Sequence, residues 1–177
     1  MKPTYTHLED FSEDIIAKAQ NGLRVTNRDL SDRSGDDLTI LKALKNGECD
    51  EAALRKIAPV LNLDPDRLVT AARKAWMPAE QDIPGLEVFV SQFRTMSVNA
   101  YLLSSPAREG ILFDTGVDPD PILQHIEEKE IRLQGIVLTH GHPDHIAVLD
   151  PILSHAGGLP VFAHPAENIS GARPVSW

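Results

Sequence analysis

Three histidines and one aspartate lie within six residues of this chain, at positions 140–145, directly after a short apolar run. Histidine and carboxylate side chains are the usual ligands of zinc, and also of non-haem iron and manganese. The preceding run, residues 136–138, is short and rich in β-branched residues, which predicts a buried strand. The sequence therefore predicts a transition-metal site at the carboxyl end of a strand, where positions on the metal stay open to water.

The spacing of the motif predicts two adjacent half-sites on one loop. Gly141 lets the backbone bend sharply, and alternate residues of an extended segment share a side. We therefore expect His140 and His142 to point the same way. The next pair, Asp144 and His145, would reach a neighbouring point. The alternative is a surface loop with accidental metal affinity, but no biased composition surrounds the motif and a carboxylate lies inside it.

The pattern His-x-His-x-Asp-His after a buried strand, with Thr139 before it, resembles the signature of the metallo-β-lactamase superfamily. Two upstream segments extend the resemblance, namely residues 98–103 and the strand and tight turn at residues 110–116. Both are similar to segments that precede the metal motif in glyoxalase-II-like and related thioester or lactone hydrolases. The resemblance implies part of an αββα sandwich in the second half of the chain.

The resemblance also implies a role for each residue of the motif. His140 and His142 would bind a first metal, and Asp144 and His145 a second, with two zinc ions expected and iron or manganese as alternatives. Asp144 would in addition act in catalysis by orienting the attacking hydroxide. Asp114 would be hydrogen-bonded to the metal loop and fix its ligands, although it could also simply close a turn at the end of its strand. The implied activity is hydrolysis of a small-molecule ester, thioester or lactone.

The sequence departs from the superfamily pattern after the motif. Family members complete each metal with a further histidine and bridge the two metals with an aspartate from a later part of the chain. Here only His155 and His164 follow the motif, and we expect both to be structural, as we expect His125 to lie at a surface or boundary. We therefore expect either a native chain that continues past Trp177 or a short form without full activity.

The first half of the chain has a different pattern. Residues 11–76 are helical in periodicity, and no strand-like run interrupts them. Polar capping residues and turn signals divide this region into five short helices, the last of which would include Trp76. The five helices resemble the helix-turn-helix domain of the Cro/phage-repressor type over roughly residues 12–75. Residues 27–35 would form its second helix and turn, and residues 38–47 its recognition helix.

Charge does not favour DNA as the partner of this helical region. Acidic residues slightly outnumber basic ones over residues 1–80, whereas nucleic-acid modules usually have a basic face. Asp36 and Asp37, at the start of the expected recognition helix, would repel phosphates. We therefore favour protein interaction or homodimerisation, and keep as the alternative a DNA-binding regulator with a degenerate or metal-sensing second half. In that alternative, four basic residues would contact DNA: Arg28, Arg33, Lys42 and Lys45.

Near residues 77–85 the pattern changes from all-helical to strand, helix and strand, which predicts an α+β chain of two domains. The helix expected at residues 121–128 implies parallel pairing of the strands on either side of it. The 177 residues carry a net charge of −9 and a single cysteine, Cys49, which cannot form an internal disulfide. The N-terminal ten residues lack the apolar core of a signal peptide, and no apolar run approaches the ~20 residues of a membrane span. We expect a cytoplasmic protein without a membrane partner. Its domains would be residues 1–77 and 86–177, with residues 78–85 as the linker.

Overall fold

The computed structural model describes residues 8–79, 82–94 and 96–175, which form two compact units. One unit spans residues 10–78, and the other contains the remaining described residues. Parts of the expected first domain (residues 1–7) and linker (residues 80 and 81), together with Trp177, lie outside the described residues. Glu9 groups with the second unit, where its carboxylate accepts a hydrogen bond of 2.7 Å from the Asn99 amide.

The helical unit consists of α1 (Ser12–Leu23), α2 (Asn27–Ser34), α3 (Leu38–Leu44), α4 (Glu51–Val60) and α5 (Pro65–Ala72). Four of these helices begin at a side chain that accepts a backbone N–H of the first turn, which satisfies a donor that has no partner within the helix. These capping residues are Thr26, Asp37, Asp50 and Asp64. Leu30, Leu54 and Ile57 are among the fully buried side chains of the core between the helices.

The expected end of the last helix in this unit is wrong. The last helix ends at Ala72 rather than continuing to Trp76, whose side chain is 58% exposed. The chain leaves the helical conformation at Lys74, where φ is +52°. The amides of Lys74 and Ala75 then donate to Ala71 and Thr70, which closes the helix end.

The second unit contains a six-stranded mixed sheet whose strands lie in sequence order. The strands are β1 (Leu86–Phe93), β2 (Met96–Ser104), β3 (Glu109–Phe113), β4 (Arg132–Leu138), β5 (Val161–Ala163) and β6 (Arg173–Pro174). The first three strands pair antiparallel, whereas β3 through β6 pair in parallel. A helix between β3 and β4, α6 (Asp120–Glu128), makes the crossover that parallel pairing requires.

The two faces of the sheet differ in burial. One face packs against α6 and α8 (Leu149–His155), with Leu112, Ile122, Ile136 and Ile152 fully buried between them. On the other face, aligned partly buried side chains cross the first five strands. This row consists of Val88, Tyr101, Phe113, Val137 and Phe162. The sheet therefore has a helix-covered face and a second face that is also apolar.

Three elements differ from what the sequence predicts. The strands β1 and β6 were not predicted. The helical pattern of residues 146–155 predicts one helix, but the chain forms α7 (Pro143–Ile146) and α8 instead. The division has a physical cause, because the His145 carbonyl accepts the amide of Thr115 at 2.8 Å and its hydroxyl at 3.0 Å. That carbonyl is then not available to continue a single helix into α8.

Within the described part of the chain, no helix combines the length and the apolar character needed to cross a membrane.

Candidate metal centre

The candidate centre lies where two neighbouring parallel strands end. β3 ends at Phe113 and β4 at Leu138, so Asp114 and Thr139 follow them at the same edge of the sheet. The Asp114 amide donates to the Val137 carbonyl at 2.9 Å, and its φ of +55° turns the chain sharply at this point. Aspartate tolerates this left-handed conformation better than most residues. The parallel pairing thus brings Asp114 beside the loop that follows β4.

Asp114 is the centre of the hydrogen bonds that hold this loop. Its Oδ1 accepts the Thr139 amide at 2.8 Å, and its Oδ2 accepts the Thr139 hydroxyl at 2.6 Å. The same Oδ2 lies 2.9 Å from Nδ1 of His145. Asp114 is only 4% exposed, so these three contacts replace its hydration. The carboxylate therefore fixes both the start of the loop and the ring of His145.

These hydrogen bonds determine which ring nitrogens remain free. An ionised carboxylate only accepts, so His145 Nδ1 carries the proton toward Asp114 and leaves Nε2 with a lone pair. The Thr139 hydroxyl donates its hydrogen bond to Asp114, so its oxygen accepts one from Nδ1 of His140 at 3.0 Å. His140 likewise leaves Nε2 free. A ring with one nitrogen bonded to the protein and the other available is the usual arrangement of a metal-binding histidine.

The four motif residues lie close together in pairs. The ring centroids of His140 and His142 are 4.5 Å apart, and those of His140 and His145 are 4.1 Å apart. Nε2 of His145 is 3.7 Å from Oδ2 of Asp144. That separation is too long for a hydrogen bond, yet both atoms can contact one ion at the ~2.0–2.2 Å typical of zinc.

Two of the histidines have shifted pKa values, in opposite directions. The pKa of His145 is raised, mainly by its hydrogen bond to Asp114, while burial opposes the shift. The pKa of His140 is lowered, first by burial and then by the neighbouring imidazoles of His145 and His142. A lowered pKa keeps the His140 ring neutral, which is the form that binds metal.

The chemistry of these donors fits a divalent metal ion, but the donors come in pairs. Across residues 8–79, 82–94 and 96–175, no group of three or more histidine, cysteine, aspartate or glutamate side chains is arranged to hold a metal by itself. An ion held by His140 and His142, or by Asp144 and His145, thus needs further ligands from water or from another segment.

Three further histidines of the described residues lie outside this cluster and have structural contacts. His155 is exposed, and its Nε2 is 3.7 Å from a Glu127 carboxylate oxygen. His164 accepts the Ala166 amide at 3.2 Å and so begins the short 3-10 helix Pro165–Glu167. The rings of His125 and Phe89 pack in a T-shaped arrangement.

Two residues that hold the loop were not identified from the sequence as holding it. Glu167 accepts the Gly141 amide at 2.9 Å through its Oε2. Thr115, which is fully buried, bonds the His145 carbonyl as described above. The polar character of Thr115 next to Asp114 was a weak signal, and nothing local distinguishes Glu167 from other surface carboxylates.

The four basic residues expected to contact DNA are only partly brought together by the fold. Arg28, Lys42 and Lys45 line a groove of about 670 Å³ between α2 and α3, and Arg33 is not among its lining residues. The expectation that both aspartates before α3 repel phosphates is wrong for Asp36. This residue is 5% exposed and accepts a 2.7 Å hydrogen bond from Lys56.

Comparison with known proteins concerns the second unit. Residues 94–173 match the family described as the metallo-beta-lactamase superfamily. The chain is 36% identical over 62 residues to a hydroxyacylglutathione hydrolase of Pectobacterium atrosepticum, covering 35% of this chain and 24% of that protein. It is 38% identical over 72 residues to the probable metallo-hydrolase YqgX of Bacillus subtilis, covering 41% and 33%. The chain thus spans a quarter to a third of the length of these two relatives.

Among solved structures, the BLEG-1 B3 metallo-beta-lactamase is similar, with a TM-score of 0.42 and 24% identity over 51% of this chain and 48% of that one. The matched residues 94–173 contain Asp114, the whole His140–His145 motif and Glu167. The family match and the hydrolase relatives therefore relate the segment that builds this loop to the metallo-beta-lactamase superfamily.

Proposed function

We propose that the second unit binds divalent metal ions through the His140–His145 loop and contributes to hydrolysis of a thioester. The observation that carries this proposal is the Asp114 carboxylate, which bonds Thr139 and His145 and leaves Nε2 free on two histidines. The thioester is proposed because one relative is named a hydroxyacylglutathione hydrolase. Other esters and lactones are alternatives within the same chemistry.

His140 and His142 would hold one ion, and Asp144 and His145 a second. When bound, such ions supply an activated water near neutral pH and polarise the carbonyl oxygen of the substrate. Zinc suits these ligands, and iron or manganese would also be accepted.

The residues of the chain would position and activate the reactants. The Asp144 carboxylate would accept a hydrogen bond from the attacking water and so direct it toward the carbonyl carbon. Asp114 would keep the His145 ring in the tautomer and orientation observed, because the carboxylate accepts only from a protonated Nδ1. The Thr139 hydroxyl would do the same for His140.

A metal-supplementation assay tests this proposal. The 177-residue chain is freed of metal, loaded with zinc, iron or manganese, and assayed for release of free thiol from a hydroxyacylglutathione thioester. We expect metal-dependent hydrolysis that falls to the metal-free level in His140→Ala and Asp144→Ala, with unfolding midpoints close to that of the wild type.

The matched control is His155→Ala, because His155 is exposed and lies outside the cluster. It should retain the wild-type rate. Normal turnover by His140→Ala, or no metal-dependent turnover with any of the three ions, would contradict the proposal.

A second candidate function concerns the helical unit, and one observation favours it. Three basic residues line the groove between α2 and α3, and Asp36 forms an ion pair with Lys56. We propose that this surface takes part in binding, either to duplex DNA as a helix-turn-helix domain or to a protein, including a second copy of this chain.

Fluorescence anisotropy with mixed duplex DNA at low salt separates these two partners. DNA binding predicts an affinity that weakens with added salt and in Lys42→Ala, with the solvent-facing Lys18→Ala as the control. A flat titration excludes DNA, and sedimentation of the same samples then reports whether the chain dimerises.

A further inference from the structure

We infer that Glu167 is a positioning residue that holds the metal loop by its backbone, through the amide of Gly141. This inference rests on the proposed metal binding for its functional meaning, but its structural part can be tested without metal.

The contact lies in the middle of the candidate ligands. Gly141 separates His140 from His142, and its amide belongs to the peptide plane that joins it to His140. Glu167 Oε2 accepts this amide at 2.9 Å, so the carboxylate fixes the orientation of that plane. Because the peptide orientation determines where the flanking side chains leave the backbone, the contact limits the positions open to both rings.

Glu167 can do this because its own segment is held firmly. It follows β5, which pairs with β4 in parallel through Leu138 and Ala163. The Glu167 amide donates to the His164 carbonyl at 3.0 Å, and the His164 ring accepts the Ala166 amide. The carboxylate therefore sits on a short turn that is tied to the strand beside the metal loop.

Apolar packing supports the same approach of the two segments. Ile169 packs against the core of the second unit. Its side chain would lie 3.5 Å from a Cβ built on Gly141, which is ordinary contact distance. The turn after β5 thus places an apolar side chain near Gly141 as well as the carboxylate.

Glu167 and Asp114 act on opposite sides of the loop. Asp114 reaches it from the end of β3 and bonds Thr139 and His145, whereas Glu167 reaches it from the end of β5 and bonds Gly141. Since β4 lies between β3 and β5, the loop that follows β4 is held from both neighbouring strands. The Asp114 contacts hold Thr139 and His145 but do not include the Gly141 amide between them, which Glu167 bonds.

Amide hydrogen exchange in the metal-free 177-residue chain tests the structural part. We expect the Gly141 amide to be protected in the wild type and in Glu167→Gln, whose side-chain oxygen can still accept. In Glu167→Ala we expect exchange at least about tenfold faster, because an amide loses a carboxylate partner. A Gly141 amide that exchanges as fast as an open loop amide in the wild type would overturn the inference, whether or not any variant folds.

Competition of the same proteins with a chromophoric chelator for Zn²⁺ tests the functional part. We expect Glu167→Ala to bind Zn²⁺ about 10- to 100-fold more weakly and Glu167→Gln to stay near the wild type. Glu128→Ala is the matched control, because Glu128 is an exposed α6 residue bonded to Gln124. Equal losses of Zn²⁺ affinity in both Glu167 variants would indicate that Glu167 is itself a metal ligand, which would overturn the positioning role. No loss of affinity in either variant would also overturn it.

The two proposals fail in different ways. If the wild-type chain binds no Zn²⁺, the proposed function fails, while the exchange of Gly141 still decides whether Glu167 holds the loop.

Discussion

The two units of this molecule fix their critical backbone segments over very different sequence distances. In the helical unit, a capping side chain bonds an amide three residues away, as Thr26 does for Asp29 and Asp50 for Ala53. In the second unit, the metal loop is held by Asp114 and Glu167, which are 25 to 31 residues from their partners. The helix ends can thus form locally, whereas the metal loop requires a correctly assembled sheet.

The largest effect is expected from Asp114→Asn. This change tests whether the long-range contacts of Asp114 stabilise the second unit alone. Asparagine tolerates the same positive φ but offers one acceptor oxygen and no charge, so the contacts to Thr139 and His145 cannot all persist. We expect Zn²⁺ affinity to fall about 10- to 100-fold and the second unit to lose about 1–3 kcal/mol of stability. Chelator competition measures the Zn²⁺ affinity, and residue-resolved hydrogen exchange measures the stability of the second unit.

The control for this change is Asp118→Asn, at an exposed position whose side-chain oxygen accepts the Asp120 amide and still can after substitution. Destabilisation of the helical unit by Asp114→Asn would contradict the comparison, because Thr139 and His145, which Asp114 bonds, lie in the second unit.

A smaller effect, in the other unit, is expected from Asp50→Ala. Asp50 accepts the Ala53 amide at 3.1 Å and begins α4, so its removal should cost the helical unit about 1 kcal/mol. Asp50→Asn, which retains the accepting oxygen, should cost less. Urea unfolding followed by helical circular dichroism gives both values, and the Zn²⁺ affinity should not change. An equal loss in both variants would mean that the cap is not the cause.

The smallest effect is expected from pH, through His145. Its pKa is raised in the folded protein, mainly by the hydrogen bond to Asp114, so folding favours the protonated ring. The resulting stability is fully present below the unfolded pKa of about 6.5 and is lost as the pH rises through the raised pKa. In metal-free protein, the difference in free energy of unfolding between wild type and His145→Gln should therefore shrink as the pH rises. A difference in free energy of unfolding that grows with pH would contradict this prediction.

The contrast in sequence distance explains what could be predicted. The capping pair Thr26 and Asp29, the caps Asp50 and Asp64, and the parallel pairing around α6 all follow from signals within a short window of sequence. The strand before the His140 motif was predicted for the same reason. The start of β1 also carries a readable signal, since Leu86, Val88, Phe89 and Val90 form a short apolar run directly after the turn signal Pro84-Gly85.

The remaining features depend on which strands become neighbours. The contact of Glu167 with Gly141 requires β5 to lie beside β4, and no local pattern states that order. The break between α7 and α8 depends on Thr115, 30 residues before the His145 carbonyl that it occupies. Burial of Asp36 depends on Lys56 from a different helix. In each case the deciding partner is distant in the chain.

The conformation of Asp114 limits which substitutions this position can accept during evolution. The residue must adopt a φ of +55° and also present two carboxylate oxygens at the end of a short side chain. Glycine and asparagine tolerate this φ but lack the carboxylate, and the glutamate carboxylate stands on a longer side chain, so only aspartate meets both requirements. In a library of all single substitutions selected for metal binding, position 114 should tolerate almost no replacement, and no single substitution elsewhere in the loop should restore a lost aspartate.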